Sequence, residues 1–290
     1  MTLIVTTDYD FQRIQPPALP NATPQYDPHY QDQLNNILRL YFNRLQNILG
    51  QMRATDTTQT FKVPYGAFHQ DGSTVLTAAM TNVSTTPIQV VSTAGFTDSG
   101  TLLIASELVN YTAKTSTTFT GITRGIYGTT NVAHAIGVSA SDAIGIPTAG
   151  TSTALTLTST DASYGITLDP VYPSRIICTI AGVYNFAFSV QLLNYTTTDD
   201  NATLWWKKNG ADVPFSAGIV QVHPKHGTSP GAVIAAWNII INVNVGDYVE
   251  LYFTSDTGNT VAATYPAGTA PVHPTSPAVI LTTTFVSALY

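Results

Sequence analysis

The chain has 290 residues, a formal net charge of -6 and only 10% Asp, Glu, Lys and Arg, far below the roughly 25% of an ordinary soluble domain. Its 11 basic residues are outnumbered by 17 acidic ones and form no cluster, so nucleic acid is not an expected partner. The single cysteine excludes an internal disulfide framework and a zinc site built on paired thiolates, and no stretch approaches the roughly 18 apolar residues of a membrane span.

Thr and Val favour strands while Gly and Pro punctuate turns, so the composition predicts a mostly β protein with little helix. Residues 1–26 contain Pro16, Pro17, Pro20 and Pro24. These remove backbone donors and block both helix and central strand, which predicts an extended arm, disordered or ordered by lying along a partner. At Asp27-Pro28 a side-chain acceptor precedes a residue whose φ already suits a first turn, and an amphipathic helix is expected over 27–52. Tyr30, Leu34, Ile37, Tyr41, Leu45, Ile48 and Met52 recur every three or four residues, with Leu38, Phe42 and Leu49 widening the stripe. A stripe that wide suits a three-helix bundle, making a trimerisation stalk, or packing of one helix on its own body.

Residues 53–84 are Thr-rich and irregular, with a turn signal at Gln70-Asp71-Gly72-Ser73, and are expected to form a connector. Over 85–146, short apolar runs broken by turns predict the hairpins of a small β-domain. The run from Phe96 through Gly100 to Ile104, then Glu107 to Thr112, Phe119 to Gly125 and Gly128 to His134, resembles a module that recurs in bacteriophage virion proteins. The resemblance covers about sixty residues and implies a spacer or platform in a virion, without an activity. In that module Glu107, Arg124 and His134 are expected to serve turn hydrogen bonds or one ion pair.

From 150 to 290, four long alternating runs predict a β-sandwich of jelly-roll type: Gly182 to Leu192, Thr203 to Gly210, Trp237 to Phe253 and Val279 to Leu289. Gly182-Val-Tyr-Asn-Phe186, Lys208-Asn209-Gly210, Val245-Gly246-Asp247-Tyr248-Val249 and the closing strand with Phe285 resemble the trimeric globular-head family of tumour necrosis factor and complement heads. That resemblance covers about 120 residues and implies a homotrimer with aromatic and aliphatic side chains at its three-fold axis. Tyr184, Phe186, Tyr252 and Phe285 are the axis candidates, with intrachain core as the alternative for each.

No G-x-S-x-G, phosphate loop, dinucleotide fingerprint or zinc-protease motif occurs, and Asp199-Asp200 are adjacent, which suits a solvated loop pair better than two opposed catalytic carboxylates. No catalytic residue, cofactor or metal site is expected, although His223, His226 and His273 on long loops are the imidazoles to watch. The sequence thus leads to a non-enzymatic protein of the virion surface. The expected role is a homotrimeric capsid decoration or head fibre, attached to the capsid or another virion protein through residues 1–52. The alternative is a tail-associated receptor-binding protein whose loops around 194–201, 218–231 and 257–277 recognise a host-surface glycan or protein.

Overall fold

In the computed structural model, residues 28–52, 63–146, 148–269 and 272–289 are described; the arm at 1–26 lies outside them. The helix and the body from Pro64 onward are separate units. The helix spans Pro28–Met52, as the stripe and the proline at its start predict. Between His29 and Asn43 none of its side chains is buried; Tyr30, Leu34, Ile37, Leu38 and Tyr41 are half-covered and Phe42 is exposed. The side chains of Leu45, Ile48, Leu49 and Met52 lie outside the described set.

Strict period-two alternation decides the architecture of the head. Along Gly182–Asn194, Tyr184, Phe186, Phe188, Val190 and Leu192 turn inward and are buried, while the residues between them face outward. Eight strands form the framework of the head, in chain order Tyr65–Gln70, Ile176–Cys178, Gly182–Asn194, Asp200–Lys208, Gly218–Val222, Gly231–Val243, Tyr248–Ser255 and Val279–Ser287, with shorter strands such as Ser159–Tyr164 and Ile166–Leu168 paired at their margins. The first pairs with the eighth, the second with the seventh, the third with the sixth and the fourth with the fifth. Third–eighth and fourth–seventh pairings complete two antiparallel sheets. This chain folded back on itself is a jelly roll. Between the sheets Phe186 and Phe188 meet Trp206 at ring-centroid distances of 5.5 and 5.8 Å. Each such enclosed side chain contributes about 1.5–3 kcal/mol.

The first head strand lies inside the stretch read from sequence as a connector. Tyr65–Gln70 pairs residue for residue with Val279–Thr284, and Ser73–Val75 pairs with Ser139–Ser141. The small β-domain therefore begins soon after Gln70 and is inserted between the first and second head strands. Its core contains Leu76 and Met80 as well as Ile88, Phe96, Leu102, Ile104, Val109, Tyr111 and Phe119. A third apolar cluster, Leu103, Leu108, Ala143, Leu193, Tyr195, Val261 and Ala263, joins module to head. The short strand Thr260–Ala263 pairs with both Leu192–Asn194 and Ala143–Gly145, so one sheet runs through from head to module.

Candidate functional site

The outward face of the sheet carrying the first, eighth, third and sixth head strands has a distinctive chemistry. Cross-strand rows read Tyr65, Thr284, Asn185, Ile240; then Ala67, Thr282, Ala187, Asn238; then His69, Ile280, Ser189, Ala236. These rows carry no Asp, Glu, Lys or Arg; at their margin His69 contacts Asp71 and Asp161 at 3.1 and 3.2 Å. Small residues occupy the centre, and exposed Ile234, Ile240, Ile280 and Val286 surround it. Asn238 Nδ2 donates to Asn185 Oδ1 at 2.8 Å, so part of the polar content is satisfied within the face.

The sixth strand, Gly231–Val243, is the edge of this sheet: it pairs along its full 13 residues with the third strand. Its other side pairs with no strand among the described residues. Neither charge nor proline interrupts it, although natural proteins usually blunt a long exposed edge with one or the other. Beside it Phe215 stands fully exposed with φ 61°, a left-handed conformation that is uncommon for a bulky residue. It overhangs a recess lined by Ser216, Gly218, Trp237 and Ile239.

The four axis candidates do not converge on this face. Tyr184 and Phe186 are fully enclosed by their own chain, which leaves them no surface to offer a second copy. Tyr184 donates its hydroxyl to Ile180 O at 2.8 Å and stands edge-on to Phe285, 5.4 Å between centroids. Phe285 packs on the same core. A Cβ on Gly182 would collide with the Phe285 ring, so the glycine of the Gly-x-Tyr-x-Phe motif makes room for the closing strand. Tyr252 lies on the outer face of the opposite sheet, paired with Trp205. Period-two alternation puts all four on strand faces but does not say which sheet, or whether a face is covered by the same chain.

That opposite face gathers rings and charges. Arg175 sits between Tyr172 and Tyr248, 4.1 and 4.2 Å from their centroids, and 3.6 Å from buried Glu250. Lys207 lies 4.4 Å over Tyr252, and Trp205 Nε1 donates to Asp212 at 2.8 Å. Arg175 and Lys207 are two of the chain's 11 basic residues, so the charge missing from one face of the head is found on the other.

The polar residues singled out in sequence hold turns. Asp247 accepts from Asn244 N at 2.8 Å and Asn209 Nδ2 at 2.7 Å. Burial works against its charge, but these bonds and Lys208 hold the carboxyl below its usual range. Asn209 Oδ1 also accepts from Tyr248 N at 3.0 Å, so the Lys-Asn-Gly hairpin and the Gly-Asp turn interlock. In the module, Glu107, Arg124 and His134 come together with their side chains enclosed. Arg124 donates to both Glu107 oxygens at 2.8 and 2.6 Å, and His134 Nε2 lies 2.8 Å from Oε2. Arg124 also reaches Thr81 O, Ser84 O and Val132 O, and so ties two loops to one carboxylate.

Asp199 and Asp200 part company. Asp199 is exposed near His223, whereas Asp200 is buried and accepts from Thr257 N, Thr260 N and Thr260 Oγ1. The solvated-pair reading therefore holds for Asp199 only. Cys178 is buried on its strand, and burial pushes its thiol up to about 12. Among the described residues no three His, Cys, Asp or Glu side chains gather as a metal site would require, and His273 Nδ1 is turned to Pro274 O at 2.8 Å. No protein-family model and no curated protein matches this chain.

Proposed function

We propose that this chain is a non-enzymatic structural protein of a tailed-phage particle, a homotrimer that decorates the capsid or forms a head fibre. On this reading the helix and arm attach to the particle and the jelly-roll head points outward. The observation that carries the self-association is the sheet face with an uncharged centre, bounded by an unblunted edge strand. Burying Ile234, Ile240 and Ile280 is favourable by about 1.5–3 kcal/mol each, and like copies suit a face whose centre carries no charge. The half-covered stripe of the helix supports a second contact of the same symmetry. The virion assignment rests on the resemblance of the module around Gly100 to His134.

Sedimentation equilibrium of residues 1–290 at micromolar concentration tests the assembly: a species of three chains is expected, and a monomer overturns it. Copy number on purified particles tests the location, since many copies on the capsid lattice support decoration and a few copies on the tail exclude it.

A second reading, host-surface recognition, is favoured by the aromatic and charged face opposite. Trp205, Tyr252 and Tyr172 offer rings on which the C–H face of a sugar can stack, with Arg175, Lys207 and Asp212 available to its hydroxyls. If so, Trp205→Ala lowers adsorption of particles to host cells while leaving assembly intact; unchanged adsorption removes this reading.

A further inference from the structure

We propose that Asp142 is a proton-operated latch between the inserted module and the first head strand, closed when its carboxyl is protonated and loosened as the proton leaves. Asp142 lies on Ser139–Gly145, buried at 1% exposure. Gln70 Nε2, at the end of the first head strand, donates to its Oδ2, and Gln70 Oε1 in turn accepts from Thr156 Oγ1 at 2.9 Å. The backbone of Asp142 closes the same knot: its N–H donates to Gly72 O at 2.7 Å and its C=O accepts from Thr264 N at 2.9 Å. Thr264 Oγ1 then donates to Gln70 O and accepts from Ala278 N, at 2.9 and 3.0 Å. Five stretches of chain are therefore tied together around Asp142.

Four carboxylates in this body are buried and their surroundings differ; Glu250 has Arg175 and Ser174. Glu107 has Arg124 and His134, and Asp200 has three donors from 257–260. Asp142 has only Gln70 and the Ala143 N–H, and no cationic nitrogen lies within 4 Å of it among the described residues. The groups that face it do not neutralise it. Lys114 spends its ammonium on the carbonyls of Thr93 and Phe96. Tyr111 gives its hydroxyl to Thr97 O. Asp71, itself tied to His69 and Ser159, adds a second negative charge. A buried anion without a counter-charge is costly, and the group keeps its proton instead. Burial above all, reinforced by Asp71 and resisted by Gln70, Ala143 and Lys114, pushes the carboxyl up to about 7.

The sign follows. The closed form holds the proton up to about 7, while an opened, solvated Asp142 loses it near its ordinary 3.8. Between those values each pH unit favours opening by about tenfold, and above 7 the effect levels off. Hydrogen exchange of the full chain, normalised for intrinsic rates, tests this at pH 5 and 7.5. Protection of Ser73–Val75 and Ser139–Ala143 is expected to fall on the order of a hundredfold, with Gly182–Asn194 unchanged. Asp142→Asn abolishes the pH effect, and Asp71→Asn moves its levelling-off to lower pH. Equal wild-type protection at both pH values overturns the latch, as does a pH effect that survives in Asp142→Asn. Should Asp142→Asn fail to fold, the wild type and Asp71→Asn decide alone: an unmoved profile in Asp71→Asn also overturns the proposal.

Discussion

Arg124 shows how one side chain can organise a loop-rich module. Its guanidinium is enclosed with Glu107, so removing it by Arg124→Met leaves a buried carboxylate without its cation. A cost of about 3–5 kcal/mol is expected in chemical denaturation, and a loss below about 1 kcal/mol contradicts the anchoring role. Glu107 also carries an acid signature. Burial opposes its charge, but Arg124, His134 and the Val132 N–H hold the carboxyl below its ordinary 4.5. The stability it contributes is complete above 4.5 and is lost as pH falls through the folded value. Thermal melts between pH 5 and 3 should accordingly be shallower in pH dependence for Glu107→Gln than for wild type. Sequence alone brought these three residues to notice as the polar members of a turn-rich motif. That all three share one carboxylate depends on the loops at 81–84 and 132–134 reaching it, which no local pattern records.

At the level of the element, the edge strand Gly231–Val243 and the helix Pro28–Met52 show opposite degrees of legibility. The helix was readable because its stripe, its start at a proline and its length are local properties. The strand was readable as a strand, since Trp237 to Val243 alternates, but not as an edge. Edge or centre is decided by partners elsewhere in the chain. The same limit explains Tyr65–Gln70: six residues with a single large core side chain, Phe68, do not stand out until Val279–Ser287 lies beside them. It also explains the axis candidates, because inward-facing aromatics look alike whether a second sheet or a second copy covers them. For the proposed association face, Ile240→Asp puts a charge on an exposed position of the edge strand. The fold should tolerate it, with a melting temperature near that of wild type, while the sedimenting species falls from three chains to one. A trimer that persists in Ile240→Asp moves the contact elsewhere without disturbing the trimer itself.

For the molecule as a whole, the question is whether the head and the inserted module behave as one cooperative unit. Each has its own apolar core, and the smaller cluster around Leu193 and Val261 links them. Leu193→Ala removes a buried side chain from that link, a change that typically costs about 2–5 kcal/mol. Calorimetry should then resolve two transitions where the wild type shows one; a single transition at lower temperature would mean that the two cores remain coupled through the shared sheet.

The pairing of Tyr65–Gln70 with Val279–Ser287 has a consequence for synthesis. At about 5–20 residues per second, the first strand leaves the ribosome roughly ten to forty seconds before its partner exists. During that interval most of the module between them can fold on contacts of its own, because nearly all its pairings fall within 73–145. The head cannot close in the same way. Its rate of maturation is set by the last strand to arrive, and a nascent chain stalled before Val279 would display an open, charge-poor sheet to every other copy on the same messenger.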